Sequence, residues 1–184
     1  MVREVQTRGG WNDGGMPLEE YRASYSVYAV LASPIIISAD LRTLPTEHPD
    51  CLAMLKNKEL LAVSQDPLAK LGRLLRQRTN SSNLNITRTT NIIEQVFSRE
   101  LAPSAPGCVT RAVVMFNRAE EMTNMTITWA ELGLPNSDAS YAMRDIWANN
   151  EFGLDRGAFA TSFTATVSVH GVVMLRVAPA TCRP

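Results

Sequence analysis

The sequence changes texture at Asp66-Pro67, so the residues before and after it call for different kinds of element. Before that point, Leu18, Tyr21, Tyr25, Tyr28, Ala29 and Ala32 recur at three- and four-residue steps, with Glu19 and Glu20 where a first turn would lie. That spacing predicts an amphipathic helix ended before Pro34, because acidic groups suit a helix start and proline cannot continue a helix. Pro34-Ile35-Ile36-Ile37-Ser38 then reads as a short strand buried on both faces, the pattern of a parallel sheet. A second helix is expected from about Asp50 to Asn57.

After Asp66-Pro67 the texture is different. Residues 69–91 are polar and rich in Arg, Asn, Ser and Thr, so that 67–91 reads as a linker or an exposed hairpin insertion. Beyond them come β-branched and aromatic segments: Ile92 to Phe97, Val109 to Asn117, Thr126 to Trp129, Tyr141 to Trp147, Ala158 to Val169 and Val172 to Val177. Gly and Pro punctuate them at intervals expected of an antiparallel all-β domain over residues 92–184. Residues 1–66 are expected to be a smaller, less stable part packed on it.

Composition narrows the class. With 184 residues and 45% apolar content the chain can bury a real core. Eighteen basic and eighteen acidic residues cancel, and no Lys/Arg run exceeds two, which argues against nucleic acid or an anionic membrane as partner. No apolar stretch approaches the roughly 18 residues of a membrane span, and residues 1–8 lack the apolar core of a signal peptide. Cys51, Cys108 and Cys182 fit no metal-ligand spacing. Cys51, on an expected helix, reads as a buried thiol; Cys108 and Cys182 are free to pair, which spacing alone does not decide.

The motifs are more specific. Gly9-Gly10-Trp11-Asn12-Asp13, followed by Gly14-Gly15-Met16 and Leu18-Glu19-Glu20-Tyr21-Arg22, resembles a stretch of the family-27 glycoside hydrolases, the α-galactosidases (melibiases) and their α-N-acetylgalactosaminidase relatives. Ser33-Pro34-Ile35-Ile36-Ile37 through Asp40-Leu41-Arg42 and Asn57-Lys58-Glu59 through Gln65-Asp66-Pro67-Leu68 are similar to later blocks of that family, in family order. So are Ala112 to Arg118, Trp129 to Leu134, Arg144 to Trp147 and His170 to Leu175. The resemblance implies α/β plus all-β architecture: the C-terminal β/α units of a (β/α)₈ TIM barrel, then an antiparallel Greek-key β-domain. It also implies hydrolysis of terminal α-linked galactosyl residues with retention, with no metal or organic cofactor and an α-galactoside as partner, in a secreted, vacuolar or lysosomal setting.

A retaining glycosidase needs two carboxyl groups about 5 to 5.5 Å apart. In the resembled family both are aspartates preceding the Trp-Asn-Asp motif, the nucleophile in a Lys-x-Asp context. Only eight residues precede Gly9, so neither is expected here and these 184 residues are expected to be inactive alone. The resemblance assigns substrate binding to Trp11, Asp13 and Met16. Asp13 passes directly into Gly14-Gly15, so the family's second, sugar-holding aspartate has no counterpart.

Each remaining candidate has two readings. Asp13 is a barrel-mouth group or an Asp-Gly turn residue. Asp40 is a functional group at a strand end, or a partner of Arg42. Asp66-Pro67 reads as a boundary turn, His48 as a loop residue and His170-Gly171 as a tight hairpin turn; two distant histidines make a poor metal site. Trp129 and Trp147 read as core before sugar platform. Asn80-Ser81-Ser82, Asn85-Ile86-Thr87 and Asn124-Met125-Thr126 are N-glycosylation triplets. The alternative function is a non-catalytic carbohydrate-binding or interaction module on the β-domain, whose mark would be exposed aromatics among Trp129, Trp147 and Phe163.

Overall fold

The computed structural model describes residues 16–37, 39–80, 92–135, 140–149 and 152–182. Four helices come first: α1 (Leu18–Val30), α2 (Leu44–Glu47), α3 (Pro49–Leu55) and α4 (Lys58–Ser64). Eight strands follow: β1 (Arg73–Thr79), β2 (Ile92–Leu101), β3 (Thr110–Asn117), β4 (Thr123–Thr128), β5 (Tyr141–Asn149), β6 (Phe152–Phe159), β7 (Ser162–Val167) and β8 (Val172–Pro179). A six-stranded sheet has the order β1-β2-β3-β8-β5-β6, and β4 and β7 form a second sheet. Every pairing between these strands is antiparallel.

The larger sheet is the middle layer of three. Side chains alternate across a strand, so Phe97, Ala112, Val114, Ile146 and Met174 meet the helices while Val96, Val113, Met115, Met143 and Leu175 meet β4 and β7. Burial on both faces explains why Ala112-Val113-Val114-Met115 and Val172-Val173-Met174-Leu175 read as unbroken apolar runs. α1 supplies Tyr21, Ala23, Tyr25, Ala29 and Val30 to the first core, matching the predicted helix closely.

The expected parallel strand at Pro34 to Ser38 is not formed. Among the described residues of that segment only Ile37 makes an isolated bridge, while Ile35 leans on the helix-side core. Ile36 is 71% exposed. A parallel strand needs a ladder partner brought beside it by a crossover, and among the described residues no parallel neighbour runs along this segment. The second expected helix is α3, ending two residues earlier than expected, and α4 follows at once because Asn57 caps it: its Oδ1 accepts from the Glu59 and Leu60 amides at 3.1 and 3.0 Å.

Residues 67–91, expected as a linker or exposed insertion, contain β1, an exposed edge strand paired along β2. Gly72 at its entrance is required by close approach: a Cβ there would lie 2.0 Å from the Val30 carbonyl oxygen at the end of α1. The expected segment Ala158 to Val169 divides, since Phe159 ends β6 in one sheet and Ser162 starts β7 in the other. β6 carries Gly153, Asp155, Arg156 and Gly157 and shows no alternation, so its pairing to β5 is a tertiary decision. β8 lies between β3 and β5, which closes the sheet around the last strand in the chain. Cys108 and Cys182 form a disulfide. Cys51 is a free buried thiol, its pKa pushed up by burial and by nearby Asp50.

Candidate functional site

Trp11 and Asp13 lie outside the described residues. Met16 is half-buried just before α1 and packs on the helix-side core. Asp40 is a partner of Arg42: Nε and Nη2 donate to its two oxygens at 3.0 and 2.7 Å, and the Arg42 amide donates at 2.9 Å. These bonds hold the Asp40 carboxyl below its ordinary range. Asp66 accepts from the amides of Leu68 and Ala102, which fastens the turn between helices and sheet.

Neither tryptophan is a platform. Trp129 is fully buried against Tyr141 with Nε1 donating to the Phe159 carbonyl, and Trp147, 7% exposed, donates to Ser26 Oγ at 2.7 Å. Phe163 packs edge-on to Phe159. The aromatic mark of a carbohydrate-binding module is therefore missing at the three positions that would have carried it.

A hollow of about 410 Å³ opens where α4 meets the six-stranded sheet, lined among others by Glu59, Thr110, Arg144, Asp155 and Arg176. Arg144 stands directly across from Arg176 on the neighbouring strand, a like-charge pairing that costs energy unless neutralised. Arg144 is neutralised by Glu59, to which Nε and Nη2 donate at 2.7 Å each, and by Asp155 at 3.1 Å. The Gly153 amide donates to the same Glu59 at 2.7 Å. Burial favours the protonated acid, but the Arg144 and Gly153 bonds together outweigh it and leave the Glu59 pKa low. An acid fixed in ionised form and occupied on both oxygens cannot cycle a proton near neutrality. Glu59 is a staple between α4 and the sheet.

The residues that fasten the layers left no sequence signal. Arg99 is 2% exposed on β2, and its Nη1 donates to the carbonyls of Ala29, Val63 and Ser64, where α1 and α4 both end. Asn57 Nδ2 reaches the Ile146 carbonyl on β5 at 3.0 Å. Charge and amide are invested at helix ends because carbonyls and amides there lack helical partners. Only coordinates bring partners so far apart in the chain together.

His170 belongs to the same joint. Its Nδ1 lies 2.9 Å from Glu20 of α1 and its Nε2 3.1 Å from Glu120, and these carboxylates raise its pKa against the opposing effect of burial. A raised folded-state pKa means the clasp stabilises fully below about pH 6.5, the unfolded value, and fades as pH rises through the folded value. The groups are partly exposed, so the contribution is under about 1 kcal/mol. His170→Gln is expected to remove that part of the change in unfolding free energy between about pH 5.5 and about pH 8.5. Identical pH profiles for the two proteins would show that the clasp carries no stability.

Comparison with known proteins agrees with the geometry. Residues 2–66 match the family described as Alpha galactosidase A, and residues 94–177 that described as Alpha galactosidase C-terminal beta sandwich domain. Alpha-galactosidase 3 of Arabidopsis thaliana is 32% identical over 94% of this chain and 36% of its own length. Alpha-N-acetylgalactosaminidase of Gallus gallus is 30% identical over 93% of this chain and 39% of its own. The crystal structure of alpha-galactosidase I from Mortierella vinacea superposes with a TM-score of 0.67 at 28% identity, covering 95% of this chain and 38% of that one. The chain thus spans a little over a third of the length of the curated relatives it matches.

Proposed function

We propose, from the premise that this chain belongs to the family-27 glycoside hydrolases, that it is the C-terminal portion of an α-galactosidase that removes terminal α-linked galactosyl residues with retention. The observation that carries this reading is the tandem match, Alpha galactosidase A over residues 2–66 and the Alpha galactosidase C-terminal beta sandwich domain over residues 94–177. Helices α1 to α4 then correspond to closing barrel units, seated on the β-domain through Arg99, Asn57 and Glu59. In this reading the nucleophile and acid/base aspartates lie in sequence preceding these residues, and Trp11, Asp13 and Met16 belong to the sugar-facing side. A secreted, vacuolar or lysosomal location fits the Cys108–Cys182 disulfide, since such bonds persist in oxidising compartments.

The test is to isolate the native protein from source cells with an antibody to the β-domain, weigh it, and assay it on an aryl α-galactoside. The expected result is a protein much heavier than 20.3 kDa that releases α-galactose first, with the isolated 184 residues inactive. A native protein of 20.3 kDa without activity would overturn the reading.

A further inference from the structure

We infer that Asn124 is an N-glycosylation site and that its glycan covers the outer face of the β4–β7 sheet. Asn124 is exposed on β4, and Met125 beside it is 1% exposed and points into the core. Residues two apart in a strand share a face, so Thr126, the hydroxyl residue of the triplet, stands on the same outer surface as the acceptor amide. Thr166 Oγ1 donates to Asn124 Oδ1 at 2.7 Å, and among the described residues Nδ2 makes no hydrogen bond. With the residue exposed and its oxygen the atom bonded within the sheet, the nitrogen is left available to carry a sugar.

The surface around it has a matching character. Cross-strand pairs Asn124 with Thr166, Thr126 with Thr164 and Thr128 with Ser162 place three polar rungs side by side. The Thr126 and Thr164 hydroxyls are bonded at 2.7 Å. Such a face is led by hydroxyl and amide groups, with no large apolar or aromatic side chain among its three rungs, which suits a hydrated saccharide better than a protein partner, since interface cores are apolar or aromatic. A glycan there would also screen a two-stranded sheet, the least self-sufficient kind, from edge pairing. The Cys108–Cys182 disulfide is an independent sign of the oxidising lumen in which such transfer occurs. Of the other two triplets, Asn80 directly follows β1 and Asn85 lies outside the described residues.

In the transfer, Nδ2 of Asn124 bonds to the anomeric carbon of a lipid-diphosphate oligosaccharide. The bond from that carbon to the diphosphate oxygen breaks, the lipid diphosphate leaves with the electron pair, and one Nδ2 proton passes to the transferase. The proposal rests on the lumenal location of the proposed function and not on hydrolysis.

The experiment sends the full chain into the lumen of a eukaryotic host behind an added leader, so that entry is imposed. Peptide-N-glycosidase treatment in heavy-oxygen water then marks each occupied asparagine by mass. With Asn80→Gln and Asn85→Gln both made, Asn124 is expected to be occupied in most molecules; Thr126→Ala should abolish occupancy and Thr126→Ser retain it. Unmodified Asn124 in protein whose disulfide has formed would overturn the inference. The same marking on protein from source cells separates the two proposals: Asn124 bare beside an occupied Asn80 or Asn85 refutes this one alone, whereas no glycan and a free Cys108 thiol refute the location both share.

Discussion

Replacing Arg99 with methionine is expected to cost the folded chain about 3 kcal/mol, among the largest losses available to a single substitution here. Methionine keeps much of the volume, so the loss reports the guanidinium and not a cavity. Nη1 donates at 3.0, 2.6 and 3.3 Å to carbonyls that end α1 and α4, and no helical amide can replace it there. A hydrogen bond from a charged donor contributes about 1.5 to 3 kcal/mol, and three through one nitrogen are not additive. The positive charge also faces the negative ends of two helix dipoles, a favourable arrangement of up to about 2 kcal/mol when partly buried. Burial pulls the Arg99 pKa down and the nearby Asp66 charge opposes that pull, so the cation is retained at a desolvation cost. With a urea slope of about 2 kcal/mol/M, the unfolding midpoint should fall by about 1.5 M at unchanged slope. A loss below about 1 kcal/mol would mean that the helix ends find water instead and that Arg99 is not the fastening.

Removing the Cys108–Cys182 bridge, by Cys108→Ser with Cys182→Ser, is expected to lower stability by about 2 to 4 kcal/mol. The bridge spans 74 residues, from the approach to β3 to the turn after β8, and so encloses most of the sandwich. Closing a loop of that length restricts the unfolded chain by about 4 kcal/mol in the chain-entropy account. Mild reductant should reproduce the effect in the wild type and leave the double variant unchanged, because that variant keeps only Cys51, a free thiol with no bridge to reduce. Equal midpoints for bridged and bridgeless protein in urea would show that the six-stranded sheet confines the ends without help.

Much of the fold was legible from local pattern. α1 announced itself by three- and four-residue spacing, and β3 and β8 by apolar runs, because periodicity reports which face of an element is covered. The bland readings of Trp129, Trp147 and Asp40 followed from residue type and neighbours, and the coordinates agree with them. The run at Pro34 to Ser38 misled for the converse reason: apolar residues express a demand for burial, and a strand forms only where a ladder partner stands beside it. β6 was missed and β1 was left open between linker and hairpin because exposed edge strands carry little hydrophobic signal, their existence being decided by β2 and β5. For the candidate site, motif order identified the family and included Asn57, Glu59 and His170, yet it did not show what these residues bond to, and Arg99 was not distinguishable from a solvated polar residue.

The sequence by itself identified the family, helix α1, the antiparallel β character of the later residues and the triplet at Asn124, all of which are written in contiguous residues. Tertiary structure alone decided that Cys108 meets Cys182, that β8 enters between β3 and β5, that Arg99 serves two helix ends at once, and that Asn124 and Thr126 face water over a hydroxyl surface. The physical reason is that local pattern records how much each residue gains by burial or hydrogen bonding, whereas the partner that supplies the gain is chosen by the packing of segments distant in the chain.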